Sequence, residues 1–327
     1  MQQENSVEKK LKEKIREVFD GFELVIGYSQ SKIPLKVNPL FIKGKEEIDG
    51  LIFNKLCINN LATYSYALSN ELKGKIGIVL KPCDARSVSQ LISEELLNKD
   101  RVKSIVVGCA GILDYKKIYK EIGGLKIISA DIKDEQIIID TIDESFTLEA
   151  KNFYAGKCYS CKIYDNPPYY DEFIESDSKL NIEQENEYED VEKFEKLNLE
   201  EINAFWDLQF GKCIRCYACR NICPLEICRD KCIAQLDVPH WQSQKINSAE
   251  GKFFQLIRVF HLAGRCTECG ECERVCPANI QIMKLMKKVN KDVLKLFNYR
   301  PGYNLDEKPP LLTFKNVEKN IKEEELI

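Results

Sequence analysis

The chain has 327 residues, enough for two domains, and 44% of them are hydrophobic, which supplies real cores and excludes global disorder. A net charge of −4 at pH 7, with no basic stripe carrying interleaved aromatics, argues against nucleic acid as a partner. Fifteen Cys in a chain with no secretory signal point to thiols held by metal in a cytoplasmic protein, rather than to disulfides.

From Met1 to Phe19 the apolar residues Val7, Leu11, Ile15 and Val18 recur at helical spacing, without the apolar core of a signal peptide. Glu23 to Tyr28 reads as a first strand, and Leu61 to Leu72 as a helix behind the apolar Leu51, Ile52, Phe53 and Leu56. The pattern then alternates. Lys75 to Leu80 and Val102 to Val107 are short Ile- and Val-rich runs suited to buried parallel strands, separated by a helical pattern from Ala85 to Leu97. Lys116 to Ile122 predicts another helix, and Lys126 to Ser129 and Gln136 to Asp140 further strands. This alternation predicts an α/β domain with a mostly parallel sheet. The longest apolar run, around Ile105 to Leu113, is too short to span a bilayer, so no membrane insertion is expected.

Thiols sit where strands end. Cys83 follows the first of the two buried strands, in Lys81-Pro82-Cys83-Asp84-Ala85-Arg86, and Cys109 follows the second. Ligands of open α/β sheets bind beyond the carboxyl ends of strands. Cys158 and Cys161 come later as a Cys-x-x-Cys pair. Together Cys83, Cys109, Cys158 and Cys161 are candidates for a third iron–sulfur cluster, with zinc as the rival metal. Any one of them alone reads equally as a small buried hydrophobe. Cys57 reads as core.

Residues 171–200 are crowded with Asp and Glu and predict an acidic linker or exposed loop. A helix from Asn198, with Leu199, Ile202, Phe205, Trp206 and Leu208 as its apolar set, leads into Cys213-Ile-Arg-Cys216-Tyr-Ala-Cys219-Arg-Asn-Ile-Cys223-Pro224. The same spacing returns as Cys266-Thr-Glu-Cys269-Gly-Glu-Cys272-Glu-Arg-Val-Cys276-Pro277. Three closely spaced thiolates on one loop reach three corners of a cubane, and the fourth points to the cluster of the other run. The expected sets are therefore Cys213, Cys216, Cys219 and Cys276 on one [4Fe-4S] cluster, and Cys266, Cys269, Cys272 and Cys223 on the other. Between the runs lies a periodic helix from about Ser248 to Leu262 (Phe253, Leu256, Ile257, Phe260), and Ile280 to Phe297 is helical after them. Cys228 and Cys232 are alternative ligands that could join Cys158 and Cys161, or spare thiols beside a cluster. His240 and His261, the only histidines, read as packed residues.

A long helix between the runs looks like the α-helical ferredoxin arrangement of succinate dehydrogenase iron–sulfur subunits and heterodisulfide reductase small subunits. With Lys81-Pro82-Cys83-Asp84-Ala85-Arg86, Cys109, and Cys158 with Cys161, the chain from about residue 22 to 300 resembles a family of electron-transfer subunits. That family comprises the sulfhydrogenase beta subunit, the iron–sulfur subunit of anaerobic sulfite reductase, and dicluster subunits linked with formate dehydrogenase or heterodisulfide reductase-like complexes. One departure is that relatives often carry a further Cys soon after the Cys-Pro, where this chain has Glu226 and Ile227.

The resemblance implies an electron relay within a cytoplasmic multisubunit oxidoreductase. Its expected partners are catalytic or flavoprotein subunits, with a soluble ferredoxin as a further candidate. Flavin or deazaflavin on the N-terminal domain is the alternative, unsupported by any Gly-x-Gly-x-x-Gly or Walker pattern. The expected organisation is an α/β docking domain over 1–170, the acidic stretch, a dicluster ferredoxin domain over 201–300, and a tail over 301–327. No catalytic residue is expected.

Overall fold

The computed structural model describes residues 5–133, 135–163, 166–183, 185–226, 232, 241–243 and 245–314. The chain forms two compact units, one of residues 1–88 and 97–185, the other of residues 89–96 and 186–327.

In the first unit, helix α1 (Ser6–Val18) starts at a capping box. The Asn5 side chain accepts from the Glu8 N–H, while the Glu8 carboxylate accepts from Asn5 N at 3.3 Å and from Phe53 N at 3.0 Å. Strands β1 (Leu24–Gln30) and β2 (Val37–Ile42) pair antiparallel, with Gln30 opposite Val37. Helix α2 (Ser65–Glu71) precedes β3 (Ile76–Leu80), every residue of which is buried. Helix α3 (Pro82–Ser93) follows, then β4 (Val102–Val107) and α4 (Tyr115–Glu121). The five-stranded sheet has the order β2-β1-β3-β4-β8, where β8 is Glu172–Ile174; every pairing except that of β1 with β2 is parallel. Helix packing leaves β3 and β4 covered on both faces, which is why they read as continuous apolar runs without alternation.

Two expectations change here. The strands anticipated at Lys126–Ser129 and Gln136–Asp140 do not extend the parallel sheet. They become β5 (Ile127–Lys133) and β6 (Gln136–Thr141), which pair antiparallel with each other, and β6 pairs antiparallel with β7 (Ser145–Glu149) in the same separate sheet. A parallel pair needs a long crossover between its strands, and the chain between Lys133 and Gln136 is far too short for one. The acidic stretch 171–200 also carries elements: β8 pairs with β4, and a helix lies further on. Helix α5 (Gly156–Tyr159) is a single turn bearing Cys158.

The second unit is helical: α6 (Glu189–Glu195), α7 (Leu199–Gly211), α8 (Ala218–Asn221), α9 (Ser248–His261), α10 (Glu271–Arg274) and α11 (Ile282–Phe297). Asn198 closes a capping box with Glu201 at the start of α7, and Asn247 accepts from Glu250 N at the start of α9. Helices α7 and α9 meet at Gly251, where a Cβ would lie 2.7 Å from the Phe210 carbonyl oxygen and 3.3 Å from Cys213 Cβ. The buried faces differ from those the periodicity predicts. In α7 they are Trp206, Gln209 and Phe210, with Leu199 and Leu208 exposed. In α9 they are Gly251, Phe254, Gln255, Arg258 and Val259, with Phe260 at 65% exposure. Among the described residues no helix is long and apolar enough to cross a membrane.

Candidate metal centres

The two Cys runs fold alike. In each, the residue before and the residue after the second Cys take left-handed backbone: Arg215 (φ 49°) and Tyr217 (φ 59°) in the first, Glu268 (φ 57°) and Gly270 (φ 74°) in the second. A one-turn helix then presents the third Cys, Cys219 on α8 and Cys272 on α10. Beyond the closing Cys-Pro, Glu226 (φ 51°) and Asn279 (φ 50°) repeat the left-handed geometry. Such turns aim successive N–H groups toward one point and suit a negatively charged group. Accordingly, Leu225 and Glu226 donate backbone N–H groups to the Cys223 sulfur, and Glu268 donates to Cys266.

Each run leaves a cavity beside it. One, of about 320 Å³, is lined by Cys213, Cys216, Cys219 and Cys276, with Tyr217, Phe254 and Gln255. The other, of about 340 Å³, is lined by Cys223, Cys266, Cys269 and Cys272, with Arg258, Leu262, Met283 and Met286. The structure thus brings together the two sets of four thiols that the spacing predicts, each set drawing its last member from the opposite run. Burial holds the thiols of Cys219, Cys223 and Cys266 above their ordinary range and pushes Cys272 up to about 12. Cys216 alone among the eight is exposed. A roomy, mostly apolar pocket with four thiols around its wall fits a cubane cluster, whose irons are spread over several corners. Among the described residues no three Cys, His, Asp or Glu side chains converge as they would on one metal ion.

Helix α9 and helix α11 hold this arrangement. Gln255 Nε2 lies 3.8 Å from Cys213 Sγ and 4.0 Å from Cys219 Sγ. Arg258, only 1% exposed, donates to Gln255 Oε1 and to the Cys219 carbonyl oxygen, each at 3.1 Å. From α11, Asn290 donates to the Cys266 carbonyl oxygen and to Glu268, both at 2.7 Å. Sequence periodicity misses Gln255 and Arg258, because it takes the apolar residues of an amphipathic helix as its buried face. The available signal is two polar residues one turn apart on the helix joining two Cys runs.

In the first unit, β3 and β4 are parallel neighbours, so Cys83 in the first turn of α3 and Cys109 after β4 stand at the same sheet edge. The chain returns to that edge through a backbone bridge between Leu113 and Tyr154 and a hydrogen bond from Ala155 N to the Ile112 carbonyl, which delivers Cys158 on α5. The charges of the four thiols bear on one another: Cys158 and Cys83 on Cys109, and Cys161 on Cys83. Burial is the leading cause that raises all four, Cys83 to about 12. Backbone N–H groups oppose it, from Gly111 to Cys109, Ile112 to Cys158 (3.4 Å) and Ile163 to Cys161. Beneath them Lys81 is fully buried, its ammonium 2.5 Å from the buried Asp84 carboxylate and hydrogen-bonded to Tyr28 Oη and the carbonyls of Cys57 and Asn59. Burial alone would lower the Lys81 ammonium, but Asp84 beside it carries the balance upward. Cys57 is buried beside Asn54 N at 3.4 Å, and burial pushes its thiol up to about 12.

Cys228 and His240 lie outside the described residues. Cys232 is buried in the second unit with Phe254, against Tyr217, Cys219 and Ile257, and its sulfur is 3.8 Å from His261 Nδ1.

Residues 212–283 match the family described as a 4Fe-4S dicluster domain. Fold, thiol pattern and this match define an iron–sulfur electron-transfer protein. The chain is 26% identical over 303 residues to the F420-dependent formate dehydrogenase subunit beta of Methanocaldococcus jannaschii, covering 75% of this chain and 77% of that one. It is 25% identical over 302 residues to the F420-dependent formate dehydrogenase 1 subunit beta of Methanococcus maripaludis, covering 73% and 75%. A structure of the F420-reducing [NiFe] hydrogenase complex from Methanosarcina barkeri superposes at a TM-score of 0.36 and 13% identity, over 48% of this chain and 58% of that one, a likeness too slight to carry an argument.

Proposed function

We propose that this chain is the iron–sulfur electron-transfer subunit of a multisubunit oxidoreductase of the formate dehydrogenase or hydrogenase kind. The observation that carries this reading is the pair of cavities, each lined by three thiols of one run and the last thiol of the other. Cys213, Cys216, Cys219 and Cys276 are assigned to one [4Fe-4S] cluster, and Cys266, Cys269, Cys272 and Cys223 to a second. When bound, such clusters take up and release single electrons. The protein's own residues hold the sulfurs, offer them N–H donors and exclude water. The long helix α9 between the runs supports an α-helical ferredoxin arrangement.

The names of the two relatives support a formate dehydrogenase or a similar complex as the setting. Exposed apolar side chains in the second unit, among them Leu208, Ile214, Trp241 and Ile246, support association with catalytic or flavoprotein subunits. In the first unit, Cys83, Cys109, Cys158 and Cys161 are assigned to a third cluster, with Cys228 and Cys232 as alternative thiols and zinc as the rival metal. Free thiols at the described cysteines fit a cytoplasmic protein.

The test is iron and acid-labile sulfide on anaerobically purified chain, with spectra of the reduced form. About eight of each would support two clusters, and about twelve a third, which Cys83→Ser should then reduce by about four. Iron near zero after anaerobic reconstitution overturns the reading. A yellow chromophore released with the clusters would favour a flavin- or deazaflavin-binding N-terminal domain instead.

A further inference from the structure

We propose that Arg258 is the residue that sets the reduction potentials of both clusters, acting on one by its own charge and on the other also through Gln255. This rests on the cluster assignment above and concerns a positioning residue, since Arg258 is given no proton or electron to carry.

The geometry begins with α9, which turns a polar face inward. Gln255 lines the cavity of Cys213, Cys216, Cys219 and Cys276, and Arg258, three residues on, lines that of Cys223, Cys266, Cys269 and Cys272. One turn of helix therefore touches both sites. The Arg258 guanidinium is buried and fixed from two directions, by Gln255 Oε1 and by the carbonyl oxygen of Cys219. A guanidinium has donors only and stays charged throughout the range in which proteins fold.

Two consequences follow from that. A cluster bound by four thiolates gains a further negative charge on reduction, and a fixed positive charge in a low-dielectric surrounding stabilises the reduced state. Electrostatic influence of Arg258 is felt at Cys219 in the first cavity and at Cys223 and Cys272 in the second. Further, because Arg258 can only donate, Gln255 must present its carbonyl oxygen to it. That fixes the amide so that Nε2–H₂ faces Cys213 and Cys219. Hydrogen bonds to cluster sulfurs raise the potential, since they too favour added negative charge. Arg258 thereby makes the Gln255 amide a donor where free rotation would let it turn its oxygen to the sulfur.

The experiment is a dithionite titration of the full chain followed by electron paramagnetic resonance, with the two signals assigned by Cys216→Ser and Cys269→Ser. Arg258→Gln is expected to retain iron and sulfide while lowering both potentials, each by a shift equivalent to about tenfold in the one-electron equilibrium, about 59 mV. Arg258→Lys is expected to restore the potential of the Cys223 site more fully than that of the Cys213 site, because it keeps the charge and loses the fork that orients Gln255. Gln255→Leu is expected to lower the Cys213 site alone. Full iron with unchanged potentials in Arg258→Gln overturns the proposal. If that variant loses its clusters, a Gln255→Leu shift of both sites or of neither overturns it. Wild-type chain without iron would instead count against the cluster reading itself.

Discussion

Tyr217 and Gly270 occupy equivalent positions of the two Cys runs and share left-handed backbone, at φ 59° and 74°. Only glycine adopts that conformation without penalty. Tyr217 offsets the strain by packing edge-on against Phe254, ring centroids 5.3 Å apart, with the Arg220 guanidinium over its face. At Gly270 a Cβ would meet nothing within 4 Å, so substitution there isolates the backbone cost. Gly270→Ala should destabilise the second unit by about 1–2 kcal/mol without displacing a neighbour. The measurement is the denaturant midpoint of the anaerobic protein; an unchanged midpoint would refute the left-handed assignment.

Gly251 makes the opposite case. Its missing side chain lets α9 approach the Phe210 carbonyl, so Gly251→Ala must push backbone apart rather than a flexible side chain. The expected cost is about 1–3 kcal/mol. Because Cys213 follows Phe210 closely, the iron of its site should also be lost faster to a chelator. Equal chelation rates in variant and wild type would contradict this.

Lys81 and Asp84 form a buried ion pair under the N-terminal thiols, with Lys157 a further 3.5 Å from the same carboxylate. Removing one partner of such a pair strands the other in a low-dielectric interior. Lys81→Met should therefore destabilise the first unit by about 3–5 kcal/mol, despite adding an apolar side chain. A variant as stable as wild type in thermal unfolding would show that Lys157 suffices to compensate Asp84.

The thiols give the sign of a pH effect. Burial raises Cys219, Cys223, Cys266 and Cys272 above the ordinary thiol value of 9.0. All four are therefore protonated through neutral pH in the metal-free chain, and each must lose its proton to bind iron. Reconstitution should release protons into a weakly buffered solution, and iron affinity should rise with pH from neutral toward the ordinary thiol range. Affinity that is flat over that range would mean these cysteines are not ligands.

The thiol runs, and the buried strands from Lys75 to Leu80 and Val102 to Val107, are legible because each rests on a local pattern. Strand β2 is not. It contains Pro39, which cannot donate to a ladder, and it survives as the edge strand beside β1. Strand β8 is three residues long in an acidic stretch, and only its pairing with β4 makes it a strand. The inward face of α9 is hidden from periodicity for a chemical reason. Periodicity assigns the apolar side to the core, whereas Gln255 and Arg258 face cavities walled by thiols and Phe260 faces solvent.

The exchange of Cys223 and Cys276 between the two cavities bears on how the protein is made. Cys276 lines the site that Cys213 begins, so that site lacks its fourth thiol until translation has passed the end of the second run. Cys223 is synthesised early and waits for Cys266, Cys269 and Cys272 to emerge. A polypeptide stopped anywhere between the two runs would leave both sites incomplete, and the sulfurs already made open to oxidation or to scavenging by the wrong metal. Maturation of either site is thus tied to synthesis of the second run, which acts as the checkpoint for the thiols that precede it.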